Sequence, residues 1–584
     1  MNTPDTVVFG AAGFIGRALV ARLLEQGHHV AAVVRPGTEA RLLTWRDGQD
    51  FDRERLTVLG CDITDPGLGA LGSAPLEDVR DVYNCAARFA FGLDATEARA
   101  VNLDGALHVL HWSAGRPRLR RLVHITGYRV TVPESAEHDY TVSAYGASKF
   151  EADAIVREQA AAAAVPLTVA NPSTVLGPGQ YIGLAELVRD LWEGTLHALP
   201  GDAQTLLPIL DLDYFVDFLT LLPQQPDTAG RSYTVLDPDS PPLPDLVGLL
   251  ARHMHVRAPR LTLPVGLVAR LPGRLTGVDA ERLTFIAGDR YDTSAADAVA
   301  ARAGLVRPAA ETVLREWADH LVSSRFGATE ADPGAGFEHG LWVSGERRTP
   351  EYVLLHGLPT DSEAWREVRT LLDAPTLAAD LPGLGRSAPH PAGPDRWLDD
   401  LMAPVEGRPI LVGHSLGCVP ALRYATAHPD RVAGVVLVAP AFLQRGGSRL
   451  ARTPIATALL RRLPPARLAA LLGIPAGPAP ESASANLRRP RVARRTVAAL
   501  RAAGRPGAHA TARRLLDELR VPVHLVTGSA DPLTTAVTAP VTEIAGAGHY
   551  PHLTHPEQVA RILDSVRKEF ADRAGRPEAT AAGR

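Results

Sequence analysis

Apolar and polar positions follow two alternating patterns along the first third of the chain. Short β-branched runs such as TVVFG, which starts at Thr6, predict buried strands. Each run is followed by a longer segment with apolar residues three or four positions apart, and that spacing predicts a helix. The first such helix, RALVARLLEQG, ends at Gly27. Later strand candidates are HHVAAVVR, LTVLGCDI, DVYNCAA, RLVHITG and PLTVANPSTV. Strands that alternate with helices predict a doubly wound parallel sheet.

The regular alternation ends near Gly177 and begins again in the second half of the chain. Between these regions, LAELVRDLWEG, ILDLDYFVDFLTLL and LPDLVGLLARHM predict a partly helical region, and ETVLREWADHLVSSRF predicts its last helix. The glycine- and acid-rich segment Gly327–Gly336 is the predicted linker. After it, GLWVSGERR, YVLLHG, TLAADLPG, PILVGHSLG, VAGVVLVAP and VPVHLVTG predict a second α/β domain. The predicted domains are therefore 1–326 and 337–570, followed by a disordered tail, 571–584.

Composition narrows the function classes. The 584 residues include 61 basic and 65 acidic side chains, a balance that argues against a general nucleic-acid or membrane-surface binder. The three cysteines lie far apart, so neither a disulfide framework nor a metal site is expected. No apolar stretch is long enough for a membrane span and no signal peptide is evident, so we expect a cytoplasmic protein. Lysine occurs only as Lys149 and Lys568, and all other basic residues are arginines. A lysine at either position therefore suggests a role that arginine does not serve.

A glycine motif marks the first candidate site. Gly10, Gly13 and Gly16 form GxxGxxG between the first strand and the first helix. Small residues at this turn let the backbone approach a pyrophosphate, which the helix N-terminus then holds. The second strand ends at Arg35, where an NAD site usually has an acid that accepts from the ribose 2′-hydroxyl. An arginine there can bind a 2′-phosphate, so NADP(H) is favoured over NAD(H). The alternative is a solvated arginine at a strand end.

A tyrosine and a lysine form the second part of this site. Tyr145 and Lys149 lie four residues apart in SAYGASKFEAD, hence on one face of a helix. A nearby ammonium group favours the phenolate form of a tyrosine, which prepares it for acid–base chemistry. A coincidental surface pair is the alternative, and the scarcity of lysine disfavours it.

These motifs together resemble the extended short-chain dehydrogenase/reductases, a family that includes nucleotide-sugar epimerases and thioester reductases. The resemblance covers residues 1 to about 325 and rests on GAAGFIG, CDITDP, NCAA, VNLDG, YGASK and NPSTVLGPG. It implies a Rossmann-type fold and a nicotinamide cofactor. With Arg35 included, the expected cofactor-binding residues are Gly10, Gly13, Phe14, Ile15, Gly16, Arg35, Asp62, Ile63, Ala86, Ala87, Asn102, Tyr145, Lys149, Pro172, Ser173 and Val175.

One position departs from the family pattern. The family usually has Ser or Thr at the end of the fifth strand, where LVHITGYRV has Gly127. Either the adjacent Thr126 makes the hydrogen bond to the substrate carbonyl, or a substrate or water group fills the gap, or this half has lost redox activity. The segment CAARFAF resembles the thioester-reductase branch more than the sugar branch.

The second half contains the elements of a serine nucleophile site. GHSLG lies between a strand and a helix and predicts a sharp turn that exposes the Ser415 hydroxyl. Asp531 follows a later strand, and His549 lies on a loop before the last helix. The order Ser, Asp, His is that of α/β-hydrolases. The strand YVLLHG leads to Leu358, whose N–H is expected to stabilise an oxyanion together with that of Leu416.

With DLPGLGRS, these motifs resemble the α/β-hydrolase superfamily over roughly 337–570. The resemblance implies an α/β-hydrolase fold, and the serine argues against the dehalogenase and epoxide-hydrolase branches, which carry Asp at that position. GAGH favours His549 over His552 and His555 as the base. The superfamily inserts its cap at about 441–520, where this chain has 16 arginines, no lysine and three acidic residues. These arginines are either solvated helix faces or a basic lid that attracts an anionic CoA or carrier-protein thioester.

The sequence thus predicts a bifunctional enzyme. One half is expected to oxidise or reduce a small-molecule carbonyl or alcohol with NADP(H), and the other to hydrolyse an ester, thioester or lactone. One alternative is a serine hydrolase that a catalytically silent NADP-binding domain regulates or scaffolds. Another is an epimerase or dehydratase in the N-terminal half. The sequence leaves open the substrate, the reaction direction and whether the chain forms a homodimer.

Overall fold

The computed structural model describes residues 3–48, 51–72, 74–90, 92–131, 138–268, 288–391, 393, 396–444, 453 and 455–574. These residues divide into two compact units. The first comprises Met1–Val188, Leu196–Leu250 and Ala258–Ala318, and the second comprises Arg189–Thr195, Ala251–Arg257 and Asp319–Arg584. The predicted linker Gly327–Gly336 thus belongs to the second unit.

The first half of the chain alternates strands and helices. Its strands are β1 (Thr6–Phe9), β2 (Val30–Val34), β3 (Leu56–Gly60), β4 (Asp81–Asn84), β5 (Arg121–Ile125), β6 (Leu167–Pro172), β7 (Thr174–Leu176), β8 (Ala198–Pro200), β9 (Ile209–Asp211), β10 (Ser232–Val235) and β11 (Leu261–Leu263). Its helices are α1 (Phe14–Glu25), α2 (Glu39–Asp47), α3 (Ala95–Arg99), α4 (Gly105–Ala114), α5 (Ala144–Ala162), α6 (Leu184–Glu193), α7 (Leu212–Leu221), α8 (Leu243–His253), α9 (Val265–Val268), α10 (Ser294–Arg302) and α11 (Ala310–Ser323).

Seven of these strands form one parallel sheet in the order β10-β6-β5-β4-β1-β2-β3. Helices cover both faces, so the central strands are buried on both sides and their sequences read as continuous apolar runs. Val7 and Phe9 pack with α4, whereas Val8 packs on the opposite face with α1. The strand order reverses between β1 and β4, and this is where doubly wound sheets bind dinucleotides. The predicted Rossmann-type sheet is confirmed.

The second half also alternates strands and helices. Its strands are β12 (Gly336–Glu338), β13 (Leu341–Gly345), β14 (Tyr352–Leu355), β15 (Thr376–Ala379), β16 (Ile410–His414), β17 (Gly434–Val438), β18 (Val523–Gly528) and β19 (Val541–Ile544). Its helices are α12 (Arg366–Leu371), α13 (Trp397–Met402), α14 (Cys418–Ala427), α15 (Ala456–Arg462), α16 (Pro465–Leu472), α17 (Pro478–Arg488), α18 (Val492–Ala503), α19 (Pro506–Asp517), α20 (Pro551–Thr554) and α21 (Pro556–Ala574).

These eight strands form one sheet in the order β12-β13-β15-β14-β16-β17-β18-β19. β13 runs antiparallel to both of its neighbours, and the remaining pairs are parallel. Helices α15 to α19 lie in the chain between β17 and β18, and we call this segment, Ala456–Asp517, the helical insertion. The predicted α/β-hydrolase domain is confirmed, whereas the role of the insertion as a cap remains a prediction.

Some element boundaries differ from the sequence predictions. PLTVANPSTV splits into β6 and β7, which pair in different sheets, and ILDLDYFVDFLTLL begins with the strand β9. The predicted tail was wrong at its start, because α21 continues to Ala574 with an ion pair between Arg573 and Glu569 on its last turn. Residues 575–584, and residues 445–452 and 454 of the predicted cap, lie outside the described part of the chain. Within the described ranges, no helix is long and apolar enough to cross a membrane.

Candidate functional sites

The turn between β1 and α1 depends on the absence of side chains at two glycines. A Cβ atom on Gly10, whose φ is +75°, would lie 2.7 Å from the backbone nitrogen of Ala86. A Cβ atom on Gly16 would lie 2.2 Å from the carbonyl oxygen of Gly10. Gly13 caps α1, and its N–H donates to that carbonyl at 2.9 Å. The turn therefore presents bare backbone beside a helix N-terminus, as a pyrophosphate requires.

Polar groups lie at the ends of β2 and β3, beside this turn. Arg35 follows β2 and is exposed. Asp62 follows β3 and accepts from the N–H and the hydroxyl of Thr64 at 2.9 and 2.8 Å. The Thr64 N–H bond lowers the pKa of Asp62, and the Arg35 guanidinium lowers it further. An exposed guanidinium and a carboxylate thus lie together where an adenine ribose would be bound.

Other predicted cofactor-binding residues line the same edge of the sheet. Asn102 lies in a π-helical turn between α3 and α4, and its side chain accepts from the N–H of Arg88 at 2.8 Å. Ile63 packs against Gly105, where an added Cβ would lie 2.7 Å from the Ile63 Cδ1 atom. Phe14, Ile15 and Ala86 are partly buried at this edge, and Ala87 is exposed. These contacts bring the loops after β1, β3 and β4 together.

Tyr145 and Lys149 both lie on α5, as predicted. The Lys149 side chain is 4 % exposed, and its Nζ donates to the carbonyl oxygen of Ile125 at 2.9 Å, which ties α5 to the end of β5. Burial lowers the pKa of Lys149 to about 8. The Tyr145 ring packs edge to face against Phe89, with 4.8 Å between the ring centroids. The phenol thus lies beside an aromatic side chain that the sequence did not single out.

Thr126 is buried directly after β5, and its hydroxyl donates to the side-chain oxygen of Asn171 on β6. The Asn171 amide in turn donates to the Ser232 hydroxyl at 2.9 Å. The Thr126 hydroxyl proton is therefore engaged, and it can reach a substrate carbonyl only if the bond to Asn171 breaks. At Gly127, no atom of the described residues other than the glycine and its two chain neighbours lies within 4 Å of the place that a Cβ would occupy, so within that part of the chain the gap left by the glycine is open.

The segment after β6 is also fixed by backbone pairing. Pro172 ends β6, and Val175 pairs with Leu210 in the β7–β9 ladder. Between them, the N–H of Ser173 donates to the Val235 carbonyl at 3.1 Å. The Ser173 hydroxyl is buried and has no hydrogen-bond partner among the residues that the structure describes, which leaves it available to a ligand.

In the second unit, Ser415 follows β16 with a φ of +51°, a left-handed conformation that costs energy for a residue with a side chain. Small neighbours make this turn sterically possible. A Cβ atom on Gly413 would lie 2.5 Å from the Gly417 carbonyl oxygen, and one on Gly417 would lie 2.5 Å from the Leu355 carbonyl oxygen. The geometry is that of a nucleophile elbow at the end of a central strand.

Three side chains from distant parts of the sequence form one hydrogen-bonded chain. His549 Nε2 lies 2.9 Å from Ser415 Oγ, and His549 Nδ1 lies 2.7 Å from Asp531 Oδ2. The backbone carbonyl of Asp531 accepts from the Gln444 amide at 2.8 Å and from the Thr527 hydroxyl at 3.0 Å, which fixes the loop after β18. The arrangement allows an imidazole to take the serine proton while the carboxylate holds its tautomer.

The loop after β14 lies directly against this serine. A Cβ atom on Gly357 would come within 2.8 Å of Ser415 Cβ. Leu358 is buried, and its carbonyl oxygen accepts from the Tyr550 hydroxyl at 2.8 Å. Burial raises the pKa of Tyr550, so it stays a phenol and a donor. The backbone N–H groups of Leu358 and Leu416 thus belong to two chain segments that meet at Ser415, as an oxyanion hole requires.

Buried neutral imidazoles surround the candidate base, and sequence reasoning did not assign them a role. His414 Nε2 donates to the His549 carbonyl oxygen at 2.8 Å, and burial holds the pKa of His414 well below its usual value. The His552 ring packs against that of His414, with 4.2 Å between the centroids. Burial lowers the pKa of His552 to about 3, which makes it unsuited to proton transfer near neutral pH. His555 instead contacts the hydroxyl of Thr554.

The fold and the two sites define a class of protein, a chain that joins a dinucleotide-binding unit to a unit of the serine-nucleophile type. Residues 6–235 match the model of the NAD dependent epimerase/dehydratase family, and residues 352–562 match that of the alpha/beta hydrolase family. The chain therefore combines an epimerase/dehydratase domain of the short-chain dehydrogenase type with an α/β-hydrolase domain. Both families are enzyme families, and the first indicates that this chain binds a nicotinamide dinucleotide.

Curated relatives align with the hydrolase part. A pimeloyl-[acyl-carrier protein] methyl ester esterase from Aromatoleum aromaticum is 28% identical over 37% of this chain and 98% of its own length. An esterase from Mycobacterium tuberculosis is 38% identical over 16% of this chain and 35% of its own length. Among solved structures, the terminal R domain from the myxalamid PKS-NRPS biosynthetic pathway is 21% identical over 56% of this chain and 92% of that chain, with a TM-score of 0.45.

The glycine turn generates a direct test of dinucleotide binding. We expect Gly16→Ala to weaken NADPH binding by about tenfold or more, because the new methyl group would collide with the Gly10 carbonyl and displace the turn. Binding is measured by quenching of protein fluorescence on NADPH titration. Gly48→Ala is the matched control, since its Cβ would meet only an ordinary contact at 3.6 Å. Equal affinity in Gly16→Ala and the parent would mean that the dinucleotide does not use this turn.

Proposed function

We propose that the chain is a bifunctional enzyme that joins an NADP(H)-dependent oxidoreductase site to a serine hydrolase site. The observation that carries the hydrolase part is the continuous hydrogen-bonded chain Asp531–His549–Ser415 at a nucleophile elbow. In the proposed reaction, the Ser415 oxygen attacks an acyl carbon and His549 takes its proton. The N–H groups of Leu358 and Leu416 stabilise the oxyanion, and His549 returns the proton to the leaving group. Water then releases the acyl group by the same route.

The proposed substrate of the hydrolase is an ester, thioester or lactone whose acyl group is carried by an anionic molecule. The names of several relatives refer to esters on an acyl-carrier protein, which supports this class. The helical insertion also presents exposed arginines, among them Arg461, Arg462, Arg467, Arg488 and Arg494. Such a surface attracts a carrier protein or CoA more than a neutral ester.

In the proposed reductase site, the turn of Gly10, Gly13 and Gly16 and the N-terminus of α1 hold the pyrophosphate of the cofactor. The bound nicotinamide accepts or supplies a hydride. Tyr145 donates or accepts the proton at the substrate oxygen, and Lys149, buried beside the end of β5, favours its phenolate form. Arg35 is proposed to bind the 2′-phosphate, because it is exposed at the end of β2 and forms no ion pair with a carboxylate within the described part of the chain.

A second function remains a candidate for the N-terminal half, namely a cofactor-binding domain that regulates or scaffolds the hydrolase. It is favoured by two observations, the open space at Gly127 and the engagement of the Thr126 hydroxyl with Asn171. Epimerisation or dehydration is a third candidate, supported by the family that residues 6–235 match. Net consumption of NADPH distinguishes the oxidoreductase from the other two candidates, because a regulatory domain only binds the cofactor and epimerisation or dehydration is redox-neutral overall.

The hydrolase proposal is tested by comparing two histidines that flank α20. We expect His549→Ala and Ser415→Ala each to lower ester hydrolysis by about 10³-fold or more, because the nucleophile and its base act as a unit. The control His555→Ala should leave hydrolysis within twofold of the parent. A fluorophosphonate probe should label the parent and His555→Ala but not Ser415→Ala. Labelling that survives Ser415→Ala would show that the elbow is structural.

The oxidoreductase proposal is tested in Ser415→Ala protein, which removes the hydrolase reaction. We expect this variant to consume NADPH with an acyl thioester or ketone from a panel, followed by absorbance at 340 nm, and we expect Tyr145→Phe to abolish the consumption while leaving NADPH binding nearly unchanged. The phenol is needed for proton transfer and not for cofactor affinity. NADPH binding without consumption across the panel would contradict the oxidoreductase and leave the regulatory domain and the epimerase or dehydratase.

Cofactor preference has its own test. We expect Arg35→Asp to lose roughly 1.5 to 3 kcal/mol of NADPH binding, because a charge-assisted hydrogen bond to the 2′-phosphate is removed. NADH binding should stay nearly constant, so the ratio of the two dissociation constants shifts toward NADH. The control Arg53→Asp makes the same charge change at an exposed position before β3. Equal affinity of the parent for NADPH and NADH would contradict the assignment of Arg35.

A further inference from the structure

A buried carboxylate joins the helical insertion to the loop that carries Leu358. Asp361 is 1% exposed and belongs to that loop. Its Oδ2 atom accepts from the Ser482 hydroxyl at 2.8 Å and from the Asn486 amide at 2.8 Å. Both donors lie on α17 of the helical insertion and are themselves buried. One oxygen atom of Asp361 therefore holds the helix against the loop with two hydrogen bonds.

The surroundings of Asp361 make these two bonds important. Asp361, Glu363 and Asp380 all form ion pairs with the buried Arg386, and Glu363 also pairs with the partly exposed Arg366. Arg386 bonds most closely to Asp380, at 2.9 Å. Burial by itself would raise the pKa of Asp380, but the charge and hydrogen bonds of Arg386, together with the Ser362 N–H bond, lower it to about 2. Arg386 lies 3.6 Å from Asp361, and there burial prevails and raises the pKa of that carboxyl. The positive charge of Arg386 thus stabilises the Asp361 carboxylate only weakly, so this carboxylate depends on hydrogen-bond donors.

The same loop is attached to the candidate hydrolase site at its other end. The Leu358 carbonyl is held by Tyr550, the residue that follows the candidate base. The Thr360 hydroxyl donates to the Gly357 carbonyl at 3.1 Å, and Gly357 lies against Ser415. The short segment between Gly357 and Asp361 therefore spans from the nucleophile to the helical insertion.

We propose that Asp361 is a positioning residue that couples the packing of α17 against the Leu358 loop to the alignment of the Leu358 N–H beside Ser415. When α17 moves away from the loop, Asp361 loses the Ser482 hydroxyl and the Asn486 amide as hydrogen-bond donors. The buried carboxylate then pulls the loop toward other donors or water. The N–H of Leu358 then moves away from the developing oxyanion. This inference rests on the proposed hydrolase function, and it makes the helical insertion part of the catalytic geometry in addition to a surface for substrate binding.

The coupling has a distinctive kinetic consequence. An oxyanion forms only as the acyl carbon becomes tetrahedral, so a displaced N–H lowers kcat and leaves ground-state binding intact. An insertion that only shaped the substrate cavity would change KM instead. An anchor that only stabilised the fold would shift the melting temperature and change neither constant.

The test removes the two donors and compares them with a serine on the same helix. In Ser482→Ala/Asn486→Ala we expect kcat for p-nitrophenyl butyrate to fall about tenfold with KM within twofold, a fraction of the loss that follows deletion of an oxyanion donor. Ser484→Ala is the matched control, because Ser484 is 1% exposed and its hydroxyl bonds to the Leu463 carbonyl at 2.7 Å inside the insertion. It should retain the parent kcat. An unchanged kcat in the double variant would overturn the coupling.

A second measurement does not require any substrate. The N–H groups of Ser362 and Glu363 donate to Asp380 at 2.7 Å and to Asp361 at 3.1 Å. Deuterium exchange in a peptide spanning 356–365 should be about fivefold faster in the double variant and unchanged in Ser484→Ala. Unchanged exchange in the double variant would reject the coupling. A parent protein that hydrolyses no ester would reject the proposed function, and the exchange experiment would still decide whether Asp361 couples helix and loop.

Discussion

Both candidate sites depend on one constraint, the sharp backbone turn at the carboxyl end of a central parallel strand. A parallel sheet leaves the ends of its central strands open between helices, and groups placed there meet from several strands. The turn after β1 is possible because Gly10 and Gly16 lack side chains, and the turn after β16 because Gly413 and Gly417 lack them. The same steric solution presents backbone N–H groups in the first unit and a side-chain hydroxyl in the second.

Beyond the turns, each site is held by hydrogen bonds that fix backbone carbonyl groups. Lys149 holds the Ile125 carbonyl, His414 holds the His549 carbonyl and Tyr550 holds the Leu358 carbonyl. Burial keeps His414 neutral and Tyr550 protonated, so each is a donor of fixed direction near neutral pH. The reactive groups are thus oriented by partners that do not themselves react, which is how preorganised sites avoid reorganisation during catalysis.

The two units differ in how completely their sites are formed. In the hydrolase unit, the bonds between Asp531, His549 and Ser415 are already made in the protein alone. In the dinucleotide-binding unit, Thr126 bonds to Asn171 and the described residues leave the place beside Gly127 open, so a reaction at this site would need substrate or cofactor to supply part of the geometry. A site that is completed by its ligand is compatible with a reductase and with a sensor, and consumption of NADPH separates the two.

The sequence by itself determined the features that depend on local pattern. The apolar runs predicted the central strands, the glycine spacing predicted the turn after β1, and GHSLG predicted the elbow, because each is encoded within a few consecutive residues. The edge strands β10 and β19 were missed because partly exposed edge strands lack a continuous apolar run. Only the tertiary structure revealed Asn171 as the partner of Thr126 and joined Asp361 to Ser482 and Asn486. These pairs lie far apart in sequence, and folding alone decides which buried donor meets which acceptor.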